Sequence, residues 1–252
     1  MSSGAIFCER LSKRYFDRSA RRKFAAVADL SLSVDPREFV AVLGPSGCGK
    51  TTFLNLIAGF ERPSAGRVLV DGKTIAGPGP DRGVVFQDYA LFPWLDVLHN
   101  VAFGLKEAGH PSPKEHARGV LQSVGLGGID RRYPHELSGG MRQRVALARV
   151  LAIDPPILLM DEPFAAVDLQ TRAVLQRELQ ELWLRTRKTI VFVTHGVDEA
   201  ILLADRIVVL TSAPARIKAV LTVDLDRPRD PSAPAFSRYR TKIATLLEED
   251  AD

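Results

Sequence analysis

The chain has 252 residues, 46% hydrophobic and 25% charged, which is enough to bury a full-sized core as one or two domains. Its 34 Lys and Arg against 30 Asp and Glu leave a net charge of +4, too mild on its own to mark a nucleic-acid binder. Uninterrupted apolar stretches run only a few residues, far short of the ~20 a bilayer span needs, and no charged-then-apolar leader opens the sequence, so a chain neither secreted nor transmembrane is expected.

In chain order, Cys8 comes first, and a basic cluster follows from Arg10 to Lys23, interleaved with Tyr15, Phe16 and Phe24. It reads as a solvated face plus a loop, since no base-stacking motif accompanies it. Glu38-Phe39-Val40-Ala41-Val42-Leu43 is an apolar run of buried-strand type, and Thr52 to Ala58 places Phe53, Leu54, Ile57 and Ala58 on one helical face. Cys48 lies between the two; pairing it with Cys8 would distort its loop, so a reducing compartment, the cytoplasm, is expected. Gly66 to Val70, an Asp71-Gly72 turn and Lys73-Thr74-Ile75 read as a hairpin, with a further strand at Gly83 to Phe86. Residues 88 to 136 are helix-like and broken by Gly and Pro, which suggests an inserted helical subdomain. The spacing then predicts a helix from Met141 to Ala152, stopped by Asp154-Pro155-Pro156, and a strand at Ile157 to Met160. A helix from Asp168 to about Arg187, with Leu175, Leu179, Leu182 and Trp183 on its apolar stripe, and a strand at Thr189 to Val193 complete the pattern. Strand-helix alternation implies parallel pairing. The acidic end Glu248-Glu249-Asp250 reads as a frayed terminus.

The most informative text is Gly44-Pro45-Ser46-Gly47-Cys48-Gly49-Lys50-Thr51, which fits the phosphate loop G-x-x-x-x-G-K-[ST] between a strand and a helix. Backbone N–H groups must wrap a polyphosphate there, so Cβ atoms at Gly44, Gly47 and Gly49 would obstruct the approach or the turn. The helix expected to start near Lys50, with Thr52 in its first turn, adds unpaired N–H groups and a dipole that favour the anion. Lys50 is expected to reach the outer phosphates and Thr51 to ligate Mg²⁺. A second element is the strand that ends in Asp161-Glu162. A carboxylate at a strand's C-terminal end can hold Mg²⁺ beside the loop, and its neighbour can orient or deprotonate the attacking water. Binding and hydrolysis of a nucleoside triphosphate follow.

With Leu137-Ser138-Gly139-Gly140-Met141-Arg142-Gln143-Arg144 added, the chain resembles the ATP-binding-cassette ATPases over nearly its whole length. Tyr15 resembles the aromatic that stacks on adenine, 44 to 52 the Walker A loop and Gln87 the glutamine that contacts nucleotide and metal. Ile157 to Pro163 resembles Walker B, with Glu162 catalytic and Asp161 at the metal; Asp168 resembles the D-loop aspartate and His195 the switch histidine. The resemblance implies an α/β fold: a P-loop NTPase core with a parallel-containing sheet, an N-terminal antiparallel β-subdomain and an inserted α-helical subdomain. Core residues would be 1–87 and 137–225, the helical insert 88–136 with the signature at its C-terminal end, and 226–252 a short extension, all in one domain. It also implies ATP and Mg²⁺ as cofactors and a head-to-tail homodimer, in which Ser138, Gly139, Gly140 and Met141 close over the partner's γ-phosphate.

Met141 stands where many members have Gln, and resembles the nitrate, sulfonate and taurine importer branch. Gly77 to Gln87, Leu91-Phe92-Pro93-Trp94 and Asn100 to Leu105 resemble that branch too. The resemblance therefore implies an importer subunit peripheral to the cytoplasmic side of the membrane. Phe92, Pro93 and Trp94 would contact an integral permease, and an extracytoplasmic binding protein would set substrate choice indirectly. A soluble cassette acting on nucleic acid or ribosomes is the alternative; one phosphate loop and no sustained heptads weigh against it. A GTPase would need an Asn-Lys-x-Asp text, which the chain lacks. Gly196 follows His195 where Asp is frequent in the family.

Overall fold

A computed structural model describes residues 3–17 and 22–248. Among these residues two sheets carry the fold. The first is antiparallel, ordered β2-β1-β4-β5, from β1 (Ile6–Asp17), β2 (Arg22–Val34), β4 (Ala65–Val70) and β5 (Lys73–Thr74). The second has six strands in the order β10-β9-β3-β8-β7-β6. They are β3 (Phe39–Leu43), β6 (Arg82–Val85), β7 (Ile157–Asp161), β8 (Thr189–Val193), β9 (Arg206–Leu210) and β10 (Ile217–Thr222). All pairings in the second sheet are parallel except that of β10 with β9. Every residue of β3, β7 and β8 is buried, as expected of strands covered on both faces.

Among the described residues seven α-helices surround the sheets: α1 (Lys50–Ala58), α2 (Val97–Glu107), α3 (Pro113–Ser123), α4 (Gly139–Leu151), α5 (Leu169–Thr186), α6 (Val197–Leu203) and α7 (Pro234–Glu248). The second sheet separates two apolar clusters. On one side α1 and the antiparallel sheet contribute Phe53, Leu56, Ile6 and Leu11, packed against Val42, Leu159 and Val193. On the other, Phe39, Phe192, Trp183, Leu179 and Leu203 pack together, and Phe236 and Ile243 of α7 join them. A third cluster belongs to α2, α3 and α4, with Val97, Val101, Leu105, Leu121, Val145 and Ala148 buried. No described helix is long and apolar enough to cross a membrane.

Several expectations are refined. Arg10 and Lys13 to Phe16 are strand residues in β1, and Arg22 and Lys23 begin β2, so these members of the basic cluster stand on strands; Arg18 and Arg21 lie outside the described residues. Alternation fails as a guide here because the β1–β2 register shifts three times and Arg10 and Asp29 have positive φ, the mark of bulges that move side chains between faces. Near the C-terminus, α7 stays helical through Glu248; Glu249 and Asp250 lie outside the described residues. Cys8 and Cys48 are both free and buried, and burial raises both thiols, that of Cys8 to about 12.

Candidate active site

The parallel register sets the site. Val42 pairs with Val193 and Val193 with Asp161, so β3, β8 and β7 release Gly44, His195 and Glu162 at one level of the sheet's C-terminal edge. That edge is where α/β folds place ligands. Gln87 follows β6, whose Val85 pairs with Met160 of β7, so it leaves the sheet at the same edge, exposed.

The phosphate loop turns into α1 at Gly49, the N-cap, with φ 116 and ψ 12. A Cβ there would strike the carbonyl oxygen of Ala26 on β2 and lie 3.2 Å from the Ala215 Cβ, so only glycine lets the loop sit against the antiparallel sheet. Gly47, at φ 74, faces open space; its demand is conformational alone. Pro45, Ser46 and Gly47 form the accessible rim, while Cys48 and Gly44 are buried. Cys48 is the loop's apolar plug, packed with the α1 cluster. Thr52 is half-buried in the first turn of the helix.

Lys50 is 5% exposed. Its Nζ donates to the carbonyls of Gly44 (2.8 Å) and Pro45 (2.9 Å) and lies 4.0 Å from Glu162 Oε1. The ammonium is thereby stretched along the inside of the loop, where a phosphate would meet it. The Thr51 hydroxyl donates to Asp161 Oδ1 at 3.2 Å. Burial raises the Asp161 carboxyl above its ordinary range, the Thr51 bond opposes this, and the Glu162 charge adds to it. No group of three His, Cys, Asp or Glu gathers among the described residues. The donor set is instead a hydroxyl and a carboxylate oxygen, which suits a hard cation that takes its remaining ligands from phosphate and water. Mg²⁺ fits that description; Zn²⁺, with its preference for N and S donors, does not.

Glu162 has φ 43, a left-handed backbone uncommon outside glycine. Its N–H donates to the Val193 carbonyl at 2.9 Å, and its Oε2 is 2.9 Å from His195 Nδ1. The turn therefore aims a carboxylate away from the sheet, toward an imidazole that is 58% exposed. Sequence reasoning missed what braces the turn that carries that imidazole: Glu199 of α6 accepts from the Thr194 hydroxyl (2.6 Å) and from Gln176 of α5 (3.2 Å). Its side chain also lies 3.0–3.1 Å from where a Cβ on Gly196 would stand. An Asp at 196 would press a second carboxylate against Glu199, which gives the unusual glycine a physical reason.

Tyr15 pairs with Phe24 across the β1–β2 ladder, their rings 5.7 Å apart, with Lys13 Nζ 5.0 Å from the Tyr15 ring. Phe24 is two residues from Ala26, so the pair stands on the strand that abuts Gly49. Ser138 caps α4, its hydroxyl accepting from Met141 N at 3.3 Å, and Gly140 is packed against Thr171 of α5, where a Cβ would be 2.5 Å from its methyl carbon. Asp168 caps α5 by accepting from Thr171 N at 3.0 Å; those bonds to Thr171 hold its carboxyl below the ordinary range. Residues 138–141 and Asp168 thus belong to one junction of α4 and α5.

Phe92 lines a groove of about 540 Å³ walled by Phe60, Phe86, Phe103, Arg149 and Ile153. Its ring is 5.6 Å from that of Trp94, which is 71% exposed; Pro93 between them is exposed.

The ABC transporter family profile matches residues 27–165. The taurine import ATP-binding protein of Burkholderia pseudomallei is 51% identical, over 83% of this chain and 81% of its own. The nitrate import ATP-binding protein of Synechococcus elongatus is 45% identical, over 90% and 86%. Among solved structures, an ATP-binding cassette in a dimeric post-hydrolysis state bound to ADP and Pi superposes with a TM-score of 0.77 at 30% identity, over 88% of this chain and all of its own. The chain is an ATPase of the ATP-binding-cassette transporter family, in the branch that contains the nitrate and taurine importers.

Proposed function

We propose that the chain is the ATP-hydrolysing subunit of an importer, a homodimer on the cytoplasmic face of the membrane that drives uptake of a small anion of the sulfonate, taurine or nitrate type through a separate permease. An extracytoplasmic binding protein would deliver the anion. The observation that carries the catalytic part is the convergence of Lys50, Thr51, Asp161, Glu162 and His195 at one edge of the sheet, with Lys50, Glu162 and His195 linked by contacts of 4.0 and 2.9 Å. The relatives' printed roles support the transport part.

In this reading Tyr15 stacks on the adenine, the loop N–H groups of 44 to 52 wrap the phosphates, and Lys50 exchanges its carbonyl partners for phosphate oxygens. Thr51, Asp161 and Gln87 would hold Mg²⁺, which when bound neutralises phosphate charge. Glu162 orients the water and takes up its proton. His195 steadies Glu162 through Nδ1, and its imidazolium form, which donates at both nitrogens, also reaches the γ-phosphate. Ser138, Gly139, Gly140 and Met141 offer a helix N-terminus and a hydroxyl to an anion, while their own chain's loop already serves its own phosphates. A second subunit's phosphate is the natural occupant. Asp168 and the 79% exposed Leu169 beside it would lie at the dimer contact. Residues 88–136 would move as a subdomain on closure.

The test is ATP-driven uptake of taurine and of nitrate by vesicles holding this chain with its co-encoded permease, beside a Trp94→Asp variant. We expect uptake of one of these anions with the parent. The variant should lose permease co-purification and uptake and keep ATP binding, since a charge at a central apolar contact costs most of such binding. Retained uptake by Trp94→Asp would reduce Phe92 to Trp94 to loop packing.

A further inference from the structure

The segment after Gln87 is built more elaborately than a linker needs. Tyr89 and Ala90 both have left-handed backbones, φ 63 and 45, and Arg149 of α4 donates to both of their carbonyls, to Tyr89 at 3.0 Å. The Tyr89 ring is 5.8 Å from the Arg142 guanidinium, also on α4. This places the ring under the first turn of the signature helix. There a Cβ on Gly139 would stand 3.5 Å from the Tyr89 hydroxyl and 3.4 Å from the carbonyl oxygen of Ala166, on the approach to Asp168. Gly139 is therefore the thin partition between that hydroxyl and that carbonyl.

Tyr89 is 9% exposed, and its hydroxyl is buried with no hydrogen-bond partner among the described residues. A buried polar group left unpaired is costly and calls for an explanation. Phenylalanine would fill the same space without that cost. The hydroxyl's surroundings supply an acceptor across the glycine, and both walls of the gap belong to segments that the proposed dimer would press together.

We propose that Tyr89 is a positioning residue for the signature turn, its hydroxyl held beside Gly139 to donate to the Ala166 carbonyl when the turn and the Ala166–Asp168 segment draw together over a partner subunit's phosphate. The inference rests on the dimeric reading above. It makes the Gln87 segment, the signature and the D-loop a single unit: movement at 87–90 is transmitted to Ser138–Gly140 through Arg149, Arg142 and the Tyr89 ring, and the hydroxyl bond closes only in the dimer.

The experiment compares Glu162→Gln with the double variant Glu162→Gln/Tyr89→Phe. ATP-dependent dimerisation is followed by sedimentation, nucleotide affinity of the monomer by titration, and folding by thermal denaturation. We expect the double variant to need about tenfold more ATP for half-dimerisation, the factor for one hydrogen bond of ~1.4 kcal/mol. Its monomer affinity should be unchanged within about twofold and its melting temperature equal or higher, since an unpaired buried hydroxyl is removed. Equal ATP requirements in the two proteins would overturn the proposal. So would a loss of monomer affinity or folding that accounts for the weaker dimer, because Tyr89 would then be general support. Failure of Glu162→Gln itself to dimerise with ATP would refute the dimeric reading, and with it the inference.

Discussion

Replacing Gly49 by alanine isolates the contact between the phosphate loop and the antiparallel sheet. At φ 116 an L-residue lies outside the small left-handed basin, a strain on the order of 1–3 kcal/mol. The new Cβ also meets the Ala26 carbonyl, which accepts from Ala215 N at 2.9 Å; relieving the clash loosens that bond, worth about 1 kcal/mol. Together these make roughly 2–4 kcal/mol, or about 4–16 °C in melting temperature for a chain of this size. Gly47→Ala is the control. Gly47 has a positive φ too, but its Cβ direction is open, so the cost is about 1 kcal/mol, near 2–4 °C. Circular dichroism melts of the parent and the two variants, with ATP titrations of each, give the comparison. Gly49→Ala should also lose most ATP affinity, because the loop's N–H groups are re-aimed. Equal melting temperatures for the two variants would refute the claim that the loop is seated on Ala26.

Lys50→Ala should weaken ATP binding markedly, whereas His195→Ala should leave affinity near the parent's and lower turnover; equilibrium titration beside phosphate release separates the two, and unchanged affinity in Lys50→Ala would contradict the role of the ammonium. Asp161 carries a sign-defined pH effect. Its folded pKa is raised, so the penalty for its charge is absent below the unfolded carboxylate value, ~3.9, and grows as pH rises through the folded value. Asp161→Asn should therefore be more stable than the parent at neutral pH in Mg²⁺-free buffer, with the gain vanishing toward pH ~4, while hydrolysis is lost; denaturant melts across pH read this, and a gain that grows on acidification would show the sign to be wrong.

Legibility in the sequence followed how local the cause was. The fixed spacing of 44 to 51 and the apolar stripe of α5 depend on neighbours a few residues away, and both emerged in place, with Leu175, Leu179, Leu182 and Trp183 buried. The strand β1 did not, because its bulges break the period-two pattern. α7 was also missed: its few buried residues, Phe236 and Ile243, gain meaning only against α6 and β9. Distant partners were equally invisible. Arg229 is buried with its guanidinium donating to the carbonyls of Leu225, Ile201, Ala204 and Val223, and Glu199 steadies the His195 turn through Thr194. Neither carries a motif. The positive φ at Glu162 likewise has no local signature, since it is imposed by the bond from its N–H to Val193 on the next strand.

The central claim is that Glu162 activates water for hydrolysis of ATP bound by the loop. Steady-state phosphate release by Glu162→Gln, beside its equilibrium ATP affinity, tests it most directly. The amide keeps shape and loses the proton acceptor, so turnover should fall by about 10²–10⁴-fold while ATP affinity stays within a few-fold of the parent. Turnover within a few-fold of the parent, at matched ATP saturation, would contradict the account.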